Sequence, residues 1–238
     1  MRQCVVVVGG TSGIGLATAR RMAQDGHRVV ITGRDERKLA DAVADLDVEG
    51  AVVDARDLDA SQEFFASLGA VDHLVVAATG TSGHVAFQGI NKDAILAANS
   101  KLVAHVIAAQ SALPVLSPTG SITFVTAVSS GSALPGTAAQ ASVNAAIEAV
   151  VPVLAVELGP VRVNAVSPGV IDTNWWSFLD DDARRATFDS FARITPVGRV
   201  GRPEDIADAI AFLVGNSFTT GMVVKVDGGA RLTPALAG

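Results

Sequence analysis

A chain of 238 residues is ordinary for one α/β domain and long enough to bury most of its apolar surface without disulfides or metals. Its net charge of −6 and pI near 5.1, with no basic stripe, argue against a nucleic-acid partner. A single cysteine, Cys4, excludes a disulfide within the chain and fits a reducing cytoplasm; four histidines scattered singly, at 27, 73, 84 and 105, form no metal-ligand cluster. From the start of the chain, Cys4 and the four valines Val5-Val6-Val7-Val8 predict a short strand buried on both faces. Gly9-Gly10-Thr11-Ser12-Gly13-Ile14-Gly15 follows at once, and Leu16–Ala23 then reads as an amphipathic helix that stops at Gly26. Strand, glycine turn and helix in that order put bare backbone N–H groups at a helix N-terminus, where the helix dipole favours a diphosphate. One glycine makes the tight turn, one lets backbone approach the pyrophosphate, and one packs helix on strand. Glycines alone would be no more than a joint; between this strand and this helix they point to dinucleotide binding.

Arg28–Thr32 reads as a second strand and Asp35–Leu46 as a charged helix. Ala51–Asp54 is a third strand, Asp59–Leu68 a helix with Phe64 and Phe65 on its apolar face, and His73–Ala78 a fourth strand. A Gly/Thr/Ser-rich loop, Thr79–Gly89, precedes a long helix from Lys92 to Leu113 that Pro114 ends. Ser121–Ala127, Val161–Val166 and Met222–Val226 complete seven strands; Thr137–Leu158 is a second long helix, and Pro203-Glu204-Asp205 is a good helix start. Strands and helices alternate at βαβ length, which predicts a single α/β domain over 1–238: a Rossmann fold with a doubly wound, seven-stranded parallel sheet and helices on both faces. No apolar run is expected to be long enough to span a membrane, and the N-terminal residues lack the pattern of a secretory signal. The 49% hydrophobic content and mean hydropathy of +0.40 fit a covered sheet with further burial between subunits.

Gly9-x-x-x-Gly13-x-Gly15 resembles the fingerprint of the short-chain dehydrogenase/reductase family, with Val8 where members usually carry threonine. The resemblance runs nearly end to end. It implies that Asp54, with Ala55 beside it, meets the adenine, and that Ala77-Ala78-Thr79-Gly80 stands where the family has Asn-Asn-Ala-Gly. It also implies that Asn99 is the helix-borne asparagine of the family's catalytic set. Arg162–Gly169 resembles the segment before the nicotinamide, so that Pro168, Gly169, Val170, Ile171 and Thr173 line it and Thr173 holds the carboxamide; the substrate lid then falls at 172–198. Gly221–Gly229 resembles the family's last strand and its exit.

The family's catalytic serine, tyrosine and lysine are missing. Counted from Pro135-Gly136, the serine position is Ala127, the tyrosine position Gln140 and the lysine position Asn144, and the chain contains no tyrosine at all. Gln140 and Asn144, four apart on one helix face, also stand where the family contacts its cofactor. Thr126, Ser129 and Ser130 carry hydroxyls beside the lost serine position but read most simply as turn residues. His84 could titrate near neutrality, yet reads first as a surface-loop histidine. Lys101, two residues from Asn99 and so on another helix face, reads as a solvated lysine. Trp175 and Trp176 suggest an apolar substrate pocket or a subunit contact.

After the second strand, Thr32-Gly33-Arg34 offers no acid to hold a free ribose 2′-hydroxyl. A small residue followed by arginine suits a 2′-phosphate, which points to NADP(H) rather than NAD(H). Three readings follow: an atypical NADP(H)-dependent oxidoreductase on a carbonyl/alcohol-type substrate, a non-catalytic NADP(H)-binding protein acting as redox sensor or partner subunit, and cofactor-independent lyase-type chemistry, which fares worst because the glycine loop is unspoiled. A homodimer or homotetramer is expected from the apolar long helices, with a kink at Pro152. If the chain reduces a carbonyl, its rate is expected to lack the limb of a tyrosine–lysine pair, leaving a histidine, His84 first, as the source of any inflection at roughly pH 6–7.

Overall fold

The computed structural model describes residues 2–79 and 85–233. The seven strands are β1 (Cys4–Val8), β2 (Arg28–Gly33), β3 (Glu49–Val52), β4 (Val71–Val76), β5 (Leu116–Val125), β6 (Arg162–Pro168) and β7 (Val223–Val226). They form one sheet in the order β3-β2-β1-β4-β5-β6-β7, and every pair is parallel. The helices are α1 (Gly13–Gln24), α2 (Glu36–Leu46), α3 (Leu58–Leu68), α4 (Lys92–Ala112), α5 (Ala138–Glu157), α6 (Asp181–Ile194) and α7 (Pro203–Gly215).

The run of valines works because β1 is an interior strand, between β2 and β4, and buried on both faces. Val6 and Val8 join Phe65, Leu74, Ile122 and Ile147 in the core under α3, α4 and α5. Val5 and Val7 join Met22, Ile31, Val75, Ile206 and Ile210 in the core under α1, α2 and α7. Alternation with period two thus sends neighbouring valines to opposite cores, and each contributes about 1.5–3 kcal/mol by its burial.

Several elements depart from the sequence reading: β4 starts at Val71 rather than His73 and β5 at Leu116 rather than Ser121. Strand β3 starts two residues early, because Glu49 is held at the edge by Arg28: the guanidinium donates to both carboxylate oxygens at 2.6 Å, and Glu49 pairs with Val30 across the ladder. Helix α6 lies inside the segment expected to be a lid. Asp180 caps it by accepting from Ala183 N, Asp181 and Asp182 sit in its first turn and Arg193 in its last, all favourable to the helix dipole. Helix α5 corrects the membrane expectation: at 20 residues with a hydropathy of 1.5 it is long and apolar enough to cross a bilayer by length and composition. In this fold Val143, Ile147 and Val151 pack it onto the sheet, while Val153 and Val156 stay exposed. It runs unbroken through Pro152.

Buried Arg162, at the start of β6, ties the last crossover in place. Its Nη1 donates to Leu213 O at 2.6 Å and its Nη2 to Val214 O at 2.9 Å. A guanidinium thereby satisfies carbonyls at the negative end of α7.

Candidate active site

The chain reverses its direction of travel across the sheet between β1 and β4, and a cleft of about 760 Å³ opens there at the strands' carboxyl ends, where ligands of open parallel sheets bind. The glycine loop forms its floor. Gly9 has φ +82°, and a Cβ on it would lie 2.9 Å from Ala78 N; a Cβ on Gly15 would lie 2.0 Å from Gly9 O. Gly9 N and Gly10 N both donate to Thr32 O, which locks the loop to β2. Asp35, Asp57, Asn91 and Asp180 each cap their helices with a side-chain oxygen, but Ser12 makes no such bond at the start of α1 and no acid lies in that first turn. The positive end of α1 therefore faces the cleft unneutralised, and the loop fits a diphosphate.

Beyond the loop, Arg34, Lys38 and Arg56 line one end of the cleft. The acids among them are engaged: Asp35 accepts from Lys38 N at 3.0 Å, and Asp54 accepts from Arg56 N at 3.0 Å and Arg56 Nε at 2.9 Å. Hydrogen bonds from Arg56 hold the Asp54 carboxyl below the usual carboxylate range. The sequence reading does not include Lys38 and Arg56; Lys38 lies in the first turn of α2, four residues after Arg34 in the bend before that helix, and Arg56 two residues after Asp54.

Every residue assigned from the sequence to the cofactor, from Gly9 to Thr173, lines this one cleft, with two exceptions. Gly80 lies outside the described residues, as does His84. Asn99 does not line the cleft: its Nδ2 turns back to donate to Ile95 O at 2.9 Å on its own helix. Besides Ser100, the polar residue by which α4 lines the cleft is Lys101. Its Nζ donates to Asn144 Oδ1 at 2.8 Å and lies 3.4 Å from Thr126 O, so the reading of Lys101 as a solvated lysine is reversed by packing. Burial pushes its amine down to about pH 8, against the opposing pull of Glu148.

Ala127, Gln140 and Asn144, the three positions of the missing triad, all line the cleft beside it. Asn144 is fixed at both ends, its Nδ2 donating to Ser129 Oγ at 3.1 Å. Thr126 and Ser130 each bond Glu148 Oε1 at 2.8 Å, as does Ser167, while Lys225 Nζ reaches Glu148 Oε2 at 2.8 Å. Of the three hydroxyls considered from the sequence, Thr126 and Ser130 are thus committed to Glu148. Ser129 accepts from Asn144 instead. One turn along α4, buried His105 has Nδ1 at 2.8 Å from Lys101 O and Nε2 at 3.2 Å from Val125 O. Burial, with Lys101 nearby, pushes it down to about 3, so it is neutral at physiological pH.

The remaining wall is apolar. Val128, Leu134, Trp175, Trp176 and Phe191 line it. Trp176 Nε1 donates to Ile171 O at 3.0 Å, and its ring packs against Phe188 and Phe191 of α6 at 5.6 and 6.3 Å. Trp176 therefore ties α6 to this wall of the cleft. Among the described residues no group of three or more histidine, cysteine or acidic side chains could hold a metal.

Comparison with known proteins gives a consistent result. The family model for enoyl-(acyl carrier protein) reductase matches residues 8–231. The chain is 30% identical to the 3-oxoacyl-(acyl-carrier-protein) reductase FabG of Chlamydia muridarum over 96% of this chain and 97% of that one. Among solved structures, a small-chain dehydrogenase in complex with NADPH matches with a TM-score of 0.85 at 33% identity, covering 98% of this chain and all of the other. The apo structure of a short chain oxidoreductase from Pseudomonas aeruginosa PAO1, described as containing an atypical catalytic center, matches with a TM-score of 0.88 at 27% identity over 95% and 96% of the two chains.

Proposed function

The chain belongs to the short-chain dehydrogenase/reductase family, and on that premise we propose that it is an NADP(H)-dependent oxidoreductase acting on a carbonyl/alcohol pair without the family's serine, tyrosine and lysine. The observation that carries this reading is the cleft itself. A diphosphate cradle at α1, a cationic end at Arg34, Lys38 and Arg56, and an apolar aromatic wall lie in one continuous cavity. The relative with bound NADPH supports the choice of cofactor, and the relative described as having an atypical catalytic center supports chemistry without the usual triad.

In this proposal the first-turn N–H groups of α1 hold the diphosphate, and Arg34 takes the ribose 2′-phosphate with Lys38 and Arg56 adding charge. Thr173 and the Pro168–Ile171 segment position the nicotinamide. When bound, the cofactor supplies the hydride. The chain's residues then orient the carbonyl and exclude water, with Trp175, Trp176 and Phe191 selecting an apolar substituent beside it. A second copy of the chain covers the exposed Val153 and Val156 of α5 together with Val103 and Val106 of α4, giving a homodimer or homotetramer.

The test is a fluorescence titration with NADPH and NADH, followed by NADPH oxidation against aromatic diketones, quinones and imines. Tighter NADPH binding with turnover supports the proposal. Tight binding with no turnover would replace it with a non-catalytic NADP(H)-binding protein, and no binding of either nucleotide would sink both.

A further inference from the structure

Resting on the oxidoreductase reading above, we infer that Lys101 is the proton donor of this site, and that Lys101 Nζ and Ser129 Oγ together form the pocket for the substrate oxygen. Two donors reach the cleft from different elements, and a single side chain joins them. Asn144 accepts from Lys101 through Oδ1 and donates to Ser129 through Nδ2. That orientation leaves Ser129 with an unused O–H and Lys101 with an N–H beyond those on Asn144 and Thr126 O. Both residues line the cleft together with Ala127 and Gln140. An uncharged methyl at Ala127 and an amide at Gln140 carry no acidic proton, so Lys101 is the acidic group at this end of the cleft.

The groups around Lys101 suit the role. Glu148 on α5 favours its ammonium form at a distance, itself tied to Lys225 on β7, while neutral His105 lies one turn along α4. A donor titrating close to working pH is what general acid catalysis requires, and burial supplies that here. In the reducing direction the carbonyl carbon takes a hydride and its π pair moves to oxygen. An O–H bond forms as an N–H bond of Lys101 breaks. The hydride donor, a reduced nicotinamide, is left oxidised by two electrons, and the neutral amine regains its proton from water. Ser129 donates to the same oxygen throughout and keeps its proton. In the alcohol-oxidising direction the neutral amine is the base.

The chain has four lysines, at 38, 92, 101 and 225, so protein labelled with 13C at lysine Cε gives four assignable signals. The free protein is titrated by NMR, with Lys101→Met identifying the Lys101 signal. NADPH affinity is measured for the unsubstituted protein, Lys101→Met and Lys101→Arg, and NADPH oxidation is followed with benzil and 9,10-phenanthrenequinone from pH 6 to 10. The expected result is a Lys101 signal titrating near pH 8 and a reduction rate that is flat below that pH and falls above it. Lys101→Met should lower kcat about 10²–10⁴-fold with NADPH affinity within threefold, which also reports that the variant folds. Lys101→Arg should restore part of the rate and remove the falling limb. A Lys101 signal in the ordinary lysine range near ~10.4, or turnover that survives Lys101→Met, overturns this inference alone. NADPH that binds and is oxidised with neither carbonyl overturns it together with the oxidoreductase reading.

Discussion

Glu148→Gln tests the contacts behind the cleft wall at Thr126. The carboxylate lies at the centre of four contacts at 2.8 Å, three from the hydroxyls of Thr126, Ser130 and Ser167 and one from Lys225. Glutamine keeps the size and can keep the hydroxyl contacts on its carbonyl oxygen, but its NH2 then faces the Lys225 ammonium, donor against donor. Removing one partner of a buried pair costs about 3–5 kcal/mol. Here the side chains are 16% and 25% exposed, and Lys225 retains Ser130 and Ser167 at 3.1 Å, so the cost falls to about 2 kcal/mol. For a chain of this length that is a loss of about 4–8 °C in Tm. Burial acts to raise the Glu148 pKa, but the hydrogen bonds from Lys225 and the hydroxyls outweigh it and the net shift is downward. A carboxyl depressed in the folded state contributes stability above its unfolded pKa of ~4.3 and loses it as pH falls through the lower folded value. Urea unfolding followed by circular dichroism should therefore show the full difference between the two proteins at pH 7 and a shrinking one below pH ~4. Equal stability at pH 7, or a difference that persists once the carboxyl is protonated, would refute the argument. Because Glu148 favours the Lys101 ammonium, the same variant should also move the limb of any reduction rate to lower pH.

Arg34→Ala should erase most of a tenfold to hundredfold preference for NADPH over NADH, the equivalent of about 1.5–3 kcal/mol for one charge-assisted phosphate contact, and leave NADH affinity nearly unchanged in a fluorescence titration. Arg162→Met should destabilise the fold by about 2–4 kcal/mol in urea unfolding, since it strips buried partners from Leu213 O and Val214 O; a loss under 1 kcal/mol would mean that water replaces the guanidinium. Light scattering at micromolar concentration should report a dimer or tetramer, and Val156→Asp, on the exposed face of α5, should shift it toward monomer.

The fold is legible in the chain because its strongest signals are local. Four consecutive valines can only be a strand with two cores, and the glycines after them admit few backbones. Helix α6 is hidden by a different cause. None of its residues is fully buried, so its apolar pattern is faint, although Asp180 and the acids after it mark its start. The site divides the same way. The glycine-loop end of the cleft is built from backbone and from residues close to strand ends, positions that spacing along the chain marks. The reacting end depends on α4 meeting α5. That Asn99 and Lys101 lie on different helix faces follows from their spacing; which face turns inward does not. The signal that could have decided it is the small-residue stripe of Ala98, Ala104, Ala108 and Ala112, all buried, with which Lys101 is in register and Asn99 is not. Asn144 and Ser129 are fifteen residues apart, and Lys101 is forty-three from Asn144, so their meeting is a property of the packed helices.

The cleft gathers residues from Val8 to Phe191, and this has a bearing on the protein's lifetime in a cell. No fragment and no partly folded chain contains all of those walls, so a nucleotide bound there stabilises only the fully assembled domain. At a free concentration a hundred times its dissociation constant, such a ligand adds about 2.7 kcal/mol to the unfolding free energy. Proteases that act on transiently opened chains sample a population reduced by the same factor of about a hundred. The amount of this protein that persists would then follow the supply of its nucleotide, falling when the pool is drained and recovering when it refills, with no change in synthesis.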